Sequence, residues 1–302
     1  MTEVRPRVIA IFGPTACGKT AVAGALRERL GAEAVSADSA ALYACLPVIT
    51  AAPPYPTRLV GIVPLSADVS VGEYQRLAHA AIDELVAAGT TPVVVGGTGL
   101  YLRAALSSLE LPPPPAPGAR ERWSALYEEV GPEAAHALLA ERDPGAAARV
   151  HANDRRRVVR ALELVEAGSS LAPAEDRLWA EETRHPTVVV GMDCAAEELD
   201  RRIETRSREM LEQGAVQEAG RAWAGSLSNT ARKILGLEEF ATLAPEEAVE
   251  SVTAASRRLS RYQRKWLRRL SLAATLDAAR PPEEIADEIV ALAGAGERLP
   301  PH

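Results

Sequence analysis

The amino-acid sequence predicts an α/β fold, a three-layer parallel sheet of the P-loop NTPase type with a helical insertion domain. Three observations predict it. Short apolar runs alternate with helical patterns, a phosphate-loop motif links the first run to the first helix, and one later segment is helical throughout. With 302 residues, 47% of them hydrophobic, the chain is long enough for one large domain and an insertion.

Four apolar runs have the length of buried parallel strands, and helical patterns separate them. The predicted strands are Val8–Phe12, Ala34–Ala37, Pro92–Val95 and Thr187–Gly191. The predicted helices of the sheet domain are Ala21–Leu30, Gly72–Ala88, Gly99–Ser107, Ala195–Gln213, Ala215–Ala224 and a long helix from about Pro245 to Ala274. Ligands of such sheets bind beyond the carboxyl ends of the strands, so we expect the functional groups there.

A proline-rich connector, LPPPPAPG at Leu111–Gly118, marks a domain boundary. Beyond it, Ala119–Gly168 is helical in pattern and contains no strand candidate. We therefore predict that residues 1–110 form the first part of a P-loop catalytic core and that 111–185 form a helical insertion. Residues 186–302 are predicted to complete the core and to carry the C-terminal helices.

Composition narrows the class of protein. No apolar run reaches the roughly 18 residues of a membrane span, and the first residues lack a signal-peptide apolar region. We expect a cytoplasmic monomer without membrane contact. Cys17, Cys45 and Cys194 are odd in number and far apart, which favours reduced thiols. The net charge of -7 argues against a surface coated in nucleic acid, although it leaves room for local basic clusters.

The phosphate-loop motif is the most specific local pattern. It follows the apolar run Arg7–Phe12 and consists of Gly13, Pro14, Thr15, Ala16, Cys17, Gly18, Lys19 and Thr20. Its backbone N–H groups would surround phosphate oxygens at a helix N-terminus, while Lys19 supplies charge and the Thr20 hydroxyl a ligand for Mg²⁺. The flanking strand and helix favour this function over a glycine-rich turn. The motif alone leaves open whether the phosphates belong to a nucleotide or to another substrate.

Polar residues follow the second and third predicted strands. Asp38 could hold magnesium through water or accept a proton from a nucleophile in line with the phosphates. Gly96-Gly97-Thr98 offers close backbone approach and one hydroxyl at the same edge. The structural alternatives are a turn or N-cap role for Asp38 and an N-cap role for Thr98.

Arginines on one predicted helix form a second candidate for phosphate binding. Arg202 and Arg206 are four residues apart, which places them on one helical face. Two guanidinium groups over the loop would neutralise a departing phosphate. Because several glutamates are nearby, the residues alone favour an exposed, salt-bridged helix.

Two basic clusters stand out in this acidic chain. The first is Arg155–Arg160, on a helix whose Val158, Leu162 and Val165 can face inward. The second is Arg257–Arg269, where we predict that an apolar stripe faces inward and seven basic residues face away. The stripe consists of Leu259, Tyr262, Trp266 and Leu270. Two such faces favour a polyanionic partner, with a solvated surface as the alternative for either one.

Taken together, these patterns resemble the tRNA dimethylallyltransferase family. The matching motifs run in order over almost the whole chain: GPTACGKT at Gly13, SADSAALY at Ser36, SVGEYQRLA at Ser70, VVVGGTGLYLRAAL at Val93, VHANDRRRVVRALEL at Val150, RRIETRSREML at Arg201 and ASRRLSRYQRKWLRR at Ala255. A P-loop occurs in many enzyme classes, whereas this succession does not. The resemblance implies transfer of a dimethylallyl group from dimethylallyl diphosphate to N6 of the adenosine beside the anticodon, position 37.

The resemblance also implies roles for individual residues. Asp38 would be the base, Thr98 would lie beside the target adenine and Arg206 would stabilise the leaving diphosphate, with Mg²⁺ at Thr20. The implied partner is a tRNA anticodon stem-loop. The implied tRNA-binding residues are Asp38, Ser39, Ala40, Ala41, Thr98, Arg120, Arg156, Arg157 and Arg160.

The sequence departs from the family pattern in four places. Ala41 replaces a glutamine and Ala52 a lysine, and Thr57–Gly61 lacks both polar residues of a His-x-x-Asp motif. The late basic helix reads RYQRKW where the family tends to read KRQxTW. These departures concern RNA contacts and substrate preference more than the phosphate loop, and they leave open a divergent paralogue that prenylates another adenosine substrate.

Other functions remain compatible with parts of the pattern. A P-loop nucleoside or small-molecule kinase also sets an aspartate opposite the loop. A prenyltransferase acting on free AMP would not need the helical insertion. An RNA-binding protein with an inactive P-loop is disfavoured by Lys19, Thr20 and Asp38.

Overall fold

The structure, a computed structural model, describes residues 8–113, 115–172 and 181–294. Four parts of the sequence-based predictions lie outside these residues. They are Arg7 of the first apolar run and the N-terminal residues before it, Pro114 of the connector, 173–180 of the insertion, and 295–302.

Eighteen α-helices and β-strands and one short 3-10 helix, Ala231–Lys233, make up the described chain. The strands are β1 (Val8–Phe12), β2 (Glu33–Ser36), β3 (Thr57–Arg58), β4 (Pro92–Gly96), β5 (Thr187–Asp193) and β6 (Ala274–Asp277). The first helices are α1 (Lys19–Leu30), α2 (Val71–Ala87), α3 (Gly99–Leu106), α4 (Ala119–Val130), α5 (Pro132–Arg142), α6 (Pro144–Ala147) and α7 (Arg155–Glu166). The later helices are α8 (Ala196–Glu212), α9 (Ala215–Trp223), α10 (Leu237–Thr242), α11 (Pro245–Leu267) and α12 (Pro282–Gly294).

All six strands form one parallel sheet in the order β3-β2-β4-β1-β5-β6. β1 lies in the interior, with Ile9 opposite Val93 of β4 and Val188 of β5. Parallel strands need a crossover connection, and helices supply it here. The carboxyl ends of β2, β4, β1 and β5 therefore stand side by side at one edge of the sheet.

Helices cover both faces of the sheet. All five residues of β1 are buried, although successive side chains point to opposite faces. One face packs Ile9 and Ile11 against apolar residues of α1 and α12, among them Leu26 and Ile285. α2 and α3 pack against each other and against β4, which gives the predicted three-layer α/β arrangement.

Two strands, two helices and one helix end differ from the sequence prediction, and the two helices that were not predicted are α10 and α12. β3 has only two residues, too few to form a recognisable run. The predicted helix from Pro245 to Ala274 was too long, because α11 ends at Leu267 and Ala274 begins β6. Only Leu276 of β6 is buried, so this edge strand lacks the apolar character by which the others were recognised.

The chain divides into two compact units, which we call the sheet unit (Met1–Ser108 with Glu181–His302) and the helical unit (Leu109–Ala180). The described elements of the helical unit are α4 to α7. Their own core contains Tyr127, Leu139, Val158 and Leu162, all buried. As predicted, Val158 and Leu162 face inward and Val165 packs against this cluster. No helix of the described residues is long and apolar enough to cross a bilayer.

Candidate functional site

The phosphate loop runs from the end of β1 to the start of α1, in the predicted context. Lys19 opens α1, and its Nζ donates a hydrogen bond to the Pro14 carbonyl oxygen at 2.6 Å. Tyr55, which the sequence reasoning did not select, donates from its hydroxyl to the Thr20 carbonyl oxygen at 2.6 Å. The Lys19 ammonium thus lies over the loop, and the Tyr55 side chain anchors the first turn of α1.

Thr15 connects the loop to two helices from the last third of the chain. Its hydroxyl oxygen accepts a hydrogen bond from Arg206 Nη1 of α8 at 2.9 Å. Its backbone N–H donates to Gln263 Oε1 of α11 at 2.7 Å. Because both side chains meet at one residue, the loop and Arg206 keep a defined relative position.

A cavity of about 570 Å³ opens beside the loop. Its lining combines loop residues with one side of α8: Ala16, Gly18, Lys19, Thr20, Ala51, Glu198, Arg201, Arg202, Thr205, Arg206 and Glu209. Three arginines and a lysine face two glutamates, which makes the lining cationic. Such a cavity suits an anionic group on the loop.

The arginines of α8 divide between two roles. Arg201 and Arg208 are exposed and pair with Glu198 and Glu204, as the salt-bridged interpretation predicted. That interpretation is wrong for Arg206, which binds Thr15 of the phosphate loop. Arg202 forms one salt bridge within α8 and one contact outside it. Its Nε donates to Glu198 at 2.6 Å, and its Nη1 donates to the Ala278 carbonyl oxygen at 2.9 Å.

Asp38 follows β2 and stands in a turn. Its Oδ1 accepts the Ala40 N–H at 2.9 Å, so the turn role considered from the sequence is present. The carboxylate also acts on Arg206: burial lowers the pKa of that guanidinium, and the negative charge of Asp38 opposes the change. Asp38 therefore combines a local backbone contact with a place in the charged site.

Two tyrosines lie near this carboxylate, since the Asp38 charge contributes to a raised pKa at both Tyr74 and Tyr101. The rings of Tyr74 and Tyr101 lie 4.4 Å apart, and the Tyr74 hydroxyl donates to the Ser36 carbonyl oxygen at 3.0 Å. Burial, with smaller contributions from the nearby Tyr43 and Asp38, raises the pKa of Tyr101 to about 12. These raised pKa values keep the Tyr74 and Tyr101 phenols neutral near pH 7.

Close backbone contact brings the turn after β4 to the turn after β2. A Cβ at Gly96 would lie 2.1 Å from the Ala37 carbonyl oxygen, and the Ala37 N–H donates to Val95 O at 2.7 Å. Thr98 is the N-cap of α3, yet its side chain makes no capping hydrogen bond. The Thr98 hydroxyl is therefore not used by the helix that it precedes.

α11 presents a different face to the core than the sequence predicted. Leu259 and Tyr262 of the predicted inward stripe are 37% and 56% exposed, and Trp266 is only partly buried. The buried positions instead include Ser260 and Gln263, the latter 5% exposed. The prediction failed because it sorted the helix by hydropathy, whereas a polar Gln263 is buried to bind Thr15.

The basic residues of α11 do not all face away from the core either. Arg264 donates from Nε and Nη2 to Asp193 Oδ1 at 2.9 and 2.8 Å. Gln263 Nε2 would lie 2.4 Å from a Cβ at Gly97. One end of α11 thus contacts the segments that follow β1 and β4 and the last residue of β5.

The predicted tRNA-binding residues fall into both units. In the sheet unit, Ser39 and Ala40 lie partly exposed beside Asp38, while Ala41 is buried and accepts the Gly61 N–H at 2.8 Å. The sheet unit thus brings Asp38, Ser39, Ala40, Thr98 and Arg206 to the phosphate-loop edge.

The helical unit carries the predicted arginines. Arg120 and Arg160 both bind Glu163, which is 1% exposed, through contacts of 2.9 Å each. Arg157 pairs with Asp154 at the start of α7, and Arg156 is exposed. Two of the four arginines are therefore tied to a buried carboxylate, which fixes their position on the unit.

The donor set near the loop suits Mg²⁺ held mainly by a substrate. No three or more His, Cys, Asp and Glu side chains come together as a metal cage within the described residues. Mg²⁺ usually retains water and binds substrate phosphates with few protein ligands. The Thr20 hydroxyl, in a cavity with room for phosphate and water, fits that pattern.

Comparisons with known proteins agree on one family. Residues 41–270 match the family described as IPP transferase. The tRNA dimethylallyltransferase of Streptomyces coelicolor is 41% identical over 277 residues, which cover 87% of this chain and 88% of that protein. The one from Salinispora arenicola is 39% identical over 285 residues, which cover 90% and 82%.

Solved structures show the same architecture. The tRNA isopentenylpyrophosphate transferase of Bacillus halodurans superimposes with a TM-score of 0.68 and 28% identity, over 98% of each chain. A eukaryotic dimethylallyltransferase acting on tRNA gives a TM-score of 0.72 at 23% identity, over 90% of this chain and 74% of that one. The second likeness concerns the fold alone.

Proposed function

The chain belongs to the IPP transferase family, and from that premise we propose that it is a tRNA dimethylallyltransferase. It transfers a dimethylallyl group from dimethylallyl diphosphate to N6 of adenosine 37, beside the anticodon, in tRNAs that read codons beginning with U. Diphosphate is released. The observation that carries the proposal is the double anchoring of Thr15, which sets a phosphate loop and Arg206 around one cationic cavity.

In this proposal, the cavity binds and stabilises the leaving diphosphate. When the C–O bond of the prenyl diphosphate breaks, its electron pair stays with the diphosphate, and allylic cation character develops on the carbon. Lys19, Arg206 and the loop N–H groups stabilise the growing anion where the diphosphate already lies. Mg²⁺, which we propose at Thr20, would add charge neutralisation to the diphosphate.

The nucleophile requires a proton acceptor. The N6 amine forms the new N–C bond with its lone pair and loses one proton, which we assign to the Asp38 carboxylate. Thr98, whose hydroxyl is not used in capping, is assigned to orient the adenine. The base must leave its stack to reach these groups, and unstacking is least costly in a loop.

We propose that the partner is a tRNA anticodon stem-loop. The helical unit offers Arg120, Arg156, Arg157 and Arg160 for sugar and phosphate contacts, which position an RNA without reading its sequence. A cytoplasmic location and a monomeric state remain predictions from the sequence.

Mass spectrometry of nucleosides tests the proposal. Purified protein is incubated with dimethylallyl diphosphate and two tRNAs that carry adenosine 37, only one of which reads codons beginning with U. We expect N6-dimethylallyladenosine in that tRNA and no phosphate transfer from labelled ATP. Unmodified cognate tRNA would contradict the proposal, and ATP-dependent phosphorylation would favour the kinase.

A further inference from the structure

One wall of the phosphate-loop cavity is a segment without regular secondary structure. We call residues 48–55 the strap, and they lie between β2 and β3. Within the strap, Ala51 lines the cavity together with Lys19 and Thr20. Ala51 has a φ of 47°, in the left-handed region that favours glycine. An alanine keeps such a conformation only where the surrounding structure fixes the backbone, and here one contact on each side of Ala51 does so.

The first contact is a buried carboxylate. Glu218 of α9 is 4% exposed, and its two oxygens accept the N–H groups of Val48 at 3.1 Å and Ile49 at 2.8 Å. These N–H groups begin the turn that leads to Ala51, whose own N–H donates to the Val48 carbonyl oxygen at 3.1 Å. Burial of a carboxylate is costly unless it is hydrogen-bonded, and such bonds are stronger than those between neutral groups. Glu218 therefore fixes the start of the strap.

The second contact is Tyr55, which joins the end of the strap to α1. Its hydroxyl donates to the Thr20 carbonyl oxygen at 2.6 Å. Its ring packs against Gly24, where a Cβ would lie 3.2 Å from a ring carbon, and the Arg27 guanidinium lies 4.4 Å from the ring centroid. Burial raises the pKa of the Tyr55 hydroxyl, so the hydroxyl stays a neutral donor near pH 7. Because the three partners are four and three residues apart, Tyr55 lies along one face of α1.

The strap between these two contacts is short and stiff. Pro53 and Pro54 fix two of its φ angles. Ala51 is thereby held at the edge of the cavity. Thr20, whose carbonyl oxygen binds Tyr55, also carries the hydroxyl that we assign to Mg²⁺. Loss of either contact would therefore shift groups that surround the phosphates.

We propose that Tyr55 and Glu218 are positioning residues of the diphosphate site, which hold the strap as a fixed wall of the cavity and keep Thr20 in place for the magnesium complex of the diphosphate. The assignment rests on the proposed function, because it takes the occupant of the cavity to be a prenyl diphosphate. Neither side chain lines the cavity, so both act through Ala51 and Thr20, which do.

The experiment measures the affinity of the whole protein for inorganic diphosphate with Mg²⁺ by calorimetry, together with thermal unfolding. Tyr55→Phe keeps the ring and loses one hydrogen bond, so it should weaken diphosphate binding about threefold to tenfold. Tyr127→Phe is the matched control, because the Tyr127 hydroxyl donates to the Ala152 carbonyl oxygen at 2.7 Å in the helical unit. Both variants should lose a similar amount of stability, whereas only Tyr55→Phe should bind diphosphate more weakly.

Glu218→Gln tests the other end of the strap. The amide keeps one acceptor oxygen but sets an NH₂ group against the second backbone N–H, so diphosphate binding should again weaken about threefold to tenfold. Asp143→Asn is its control, at a carboxylate that accepts the Ala146 N–H at 2.9 Å, and it should bind diphosphate like the wild type. Because either change frees the strap, the double variant should lose less affinity than the product of the two single losses.

The outcomes separate this proposal from the proposed function. Wild-type affinity for diphosphate in both Tyr55→Phe and Glu218→Gln would refute the positioning role, even if the wild type prenylates tRNA. An equal loss of affinity in Tyr127→Phe or Asp143→Asn would also refute it, because any loss of stability would then suffice. If both strap variants bind diphosphate weakly but the wild-type protein makes no prenylated adenosine, the proposed function fails alone.

Discussion

Asp38 serves the backbone and, in our proposal, the chemistry. Its Oδ1 holds the Ala40 N–H, so removal of the whole side chain would disturb the turn as well as remove a base. An asparagine keeps an acceptor oxygen for that N–H but cannot take a proton. The two effects can therefore be separated at this position.

We expect Asp38→Asn to lower single-turnover prenyl transfer by about 10²–10⁴-fold, the usual contribution of a general base. The tRNA affinity, measured by filter binding, should stay close to that of the wild type. Asp38→Ala serves as comparison, since it also loses the turn contact. Activity of Asp38→Asn within a few-fold of the wild type would refute the base assignment.

Residue-level prediction from the sequence succeeded where a motif fixes the backbone. The loop from Gly13 to Thr20 follows β1 and opens α1 as predicted. Gln263 was missed because a buried glutamine satisfied by one backbone N–H has no hydropathy signal. Its presence in the motif RYQRKW was the available clue.

At the scale of elements, the turns after β2 and β4 are in direct contact. Gly96 permits this approach, because any side chain there would collide with the Ala37 carbonyl oxygen. The distance between Asp38 and Thr98 therefore depends on Gly96, which has no proposed part in binding or catalysis itself.

Gly96→Ala should destabilise the fold by about 1–3 kcal/mol, as overpacking does, and impair transfer. Gly220 of α9 provides a control, since a Cβ there meets no atom within 4 Å. Gly220→Ala should be stabilising by about 0.5–1 kcal/mol. Urea unfolding of both variants measures the difference, and equal stabilities would contradict the collision.

A salt bridge between Arg120 of α4 and Glu163 of α7 connects these two helices, and the Glu163 carboxyl group titrates. Burial would raise the pKa of Glu163, but hydrogen bonds from Arg120 and Arg160 outweigh it and the net pKa is lowered. A carboxyl whose folded pKa lies below its unfolded value stabilises the fold above that unfolded value, about 4.3. This stabilisation is lost as the pH falls further.

We therefore expect Glu163→Gln to flatten the dependence of stability on pH below about 4.3. Glu128→Gln, at an exposed ion pair with Arg155, is the matched control. Thermal unfolding between pH 3 and pH 7 supplies the measurement. If the stability of Glu163→Gln depended on pH as that of the wild type does, the contacts of Glu163 with Arg120 and Arg160 would make no contribution to the pH dependence of stability.

The strands show which elements could be predicted from the sequence. Four buried strands are confirmed because parallel strands covered on both faces are continuous apolar runs. Edge strands β3 and β6 were missed because they are short or only partly buried. The end of α11 was predicted too late, because SLAAT after the basic cluster also has helical composition.

The whole molecule has two hydrophobic cores. The helical unit buries its own cluster, and the sheet unit buries another around β1. Compact units with separate cores need not unfold in one transition.

Leu139→Ala should destabilise the helical unit by about 2–5 kcal/mol, because Leu139 is fully buried in its core. Leu138→Ala, at a partly buried neighbouring position, should cost less. Calorimetry of Leu139→Ala should show an unfolding transition at a lower temperature than in the wild type, and the variant should still bind dimethylallyl diphosphate. Loss of diphosphate binding together with that transition would mean that the cores are coupled.

The pairing of β1 with β5 has a consequence for synthesis on the ribosome. Val8 lies opposite Thr187, so the strand that carries the phosphate loop waits for a partner 179 residues later in the chain (187 − 8 = 179). At about 5–20 residues per second, this delay lasts roughly 10–40 s. During that interval one edge of β1 has no strand beside it, and such edges promote aggregation. The nascent chain is therefore a candidate client for chaperones until β5 emerges.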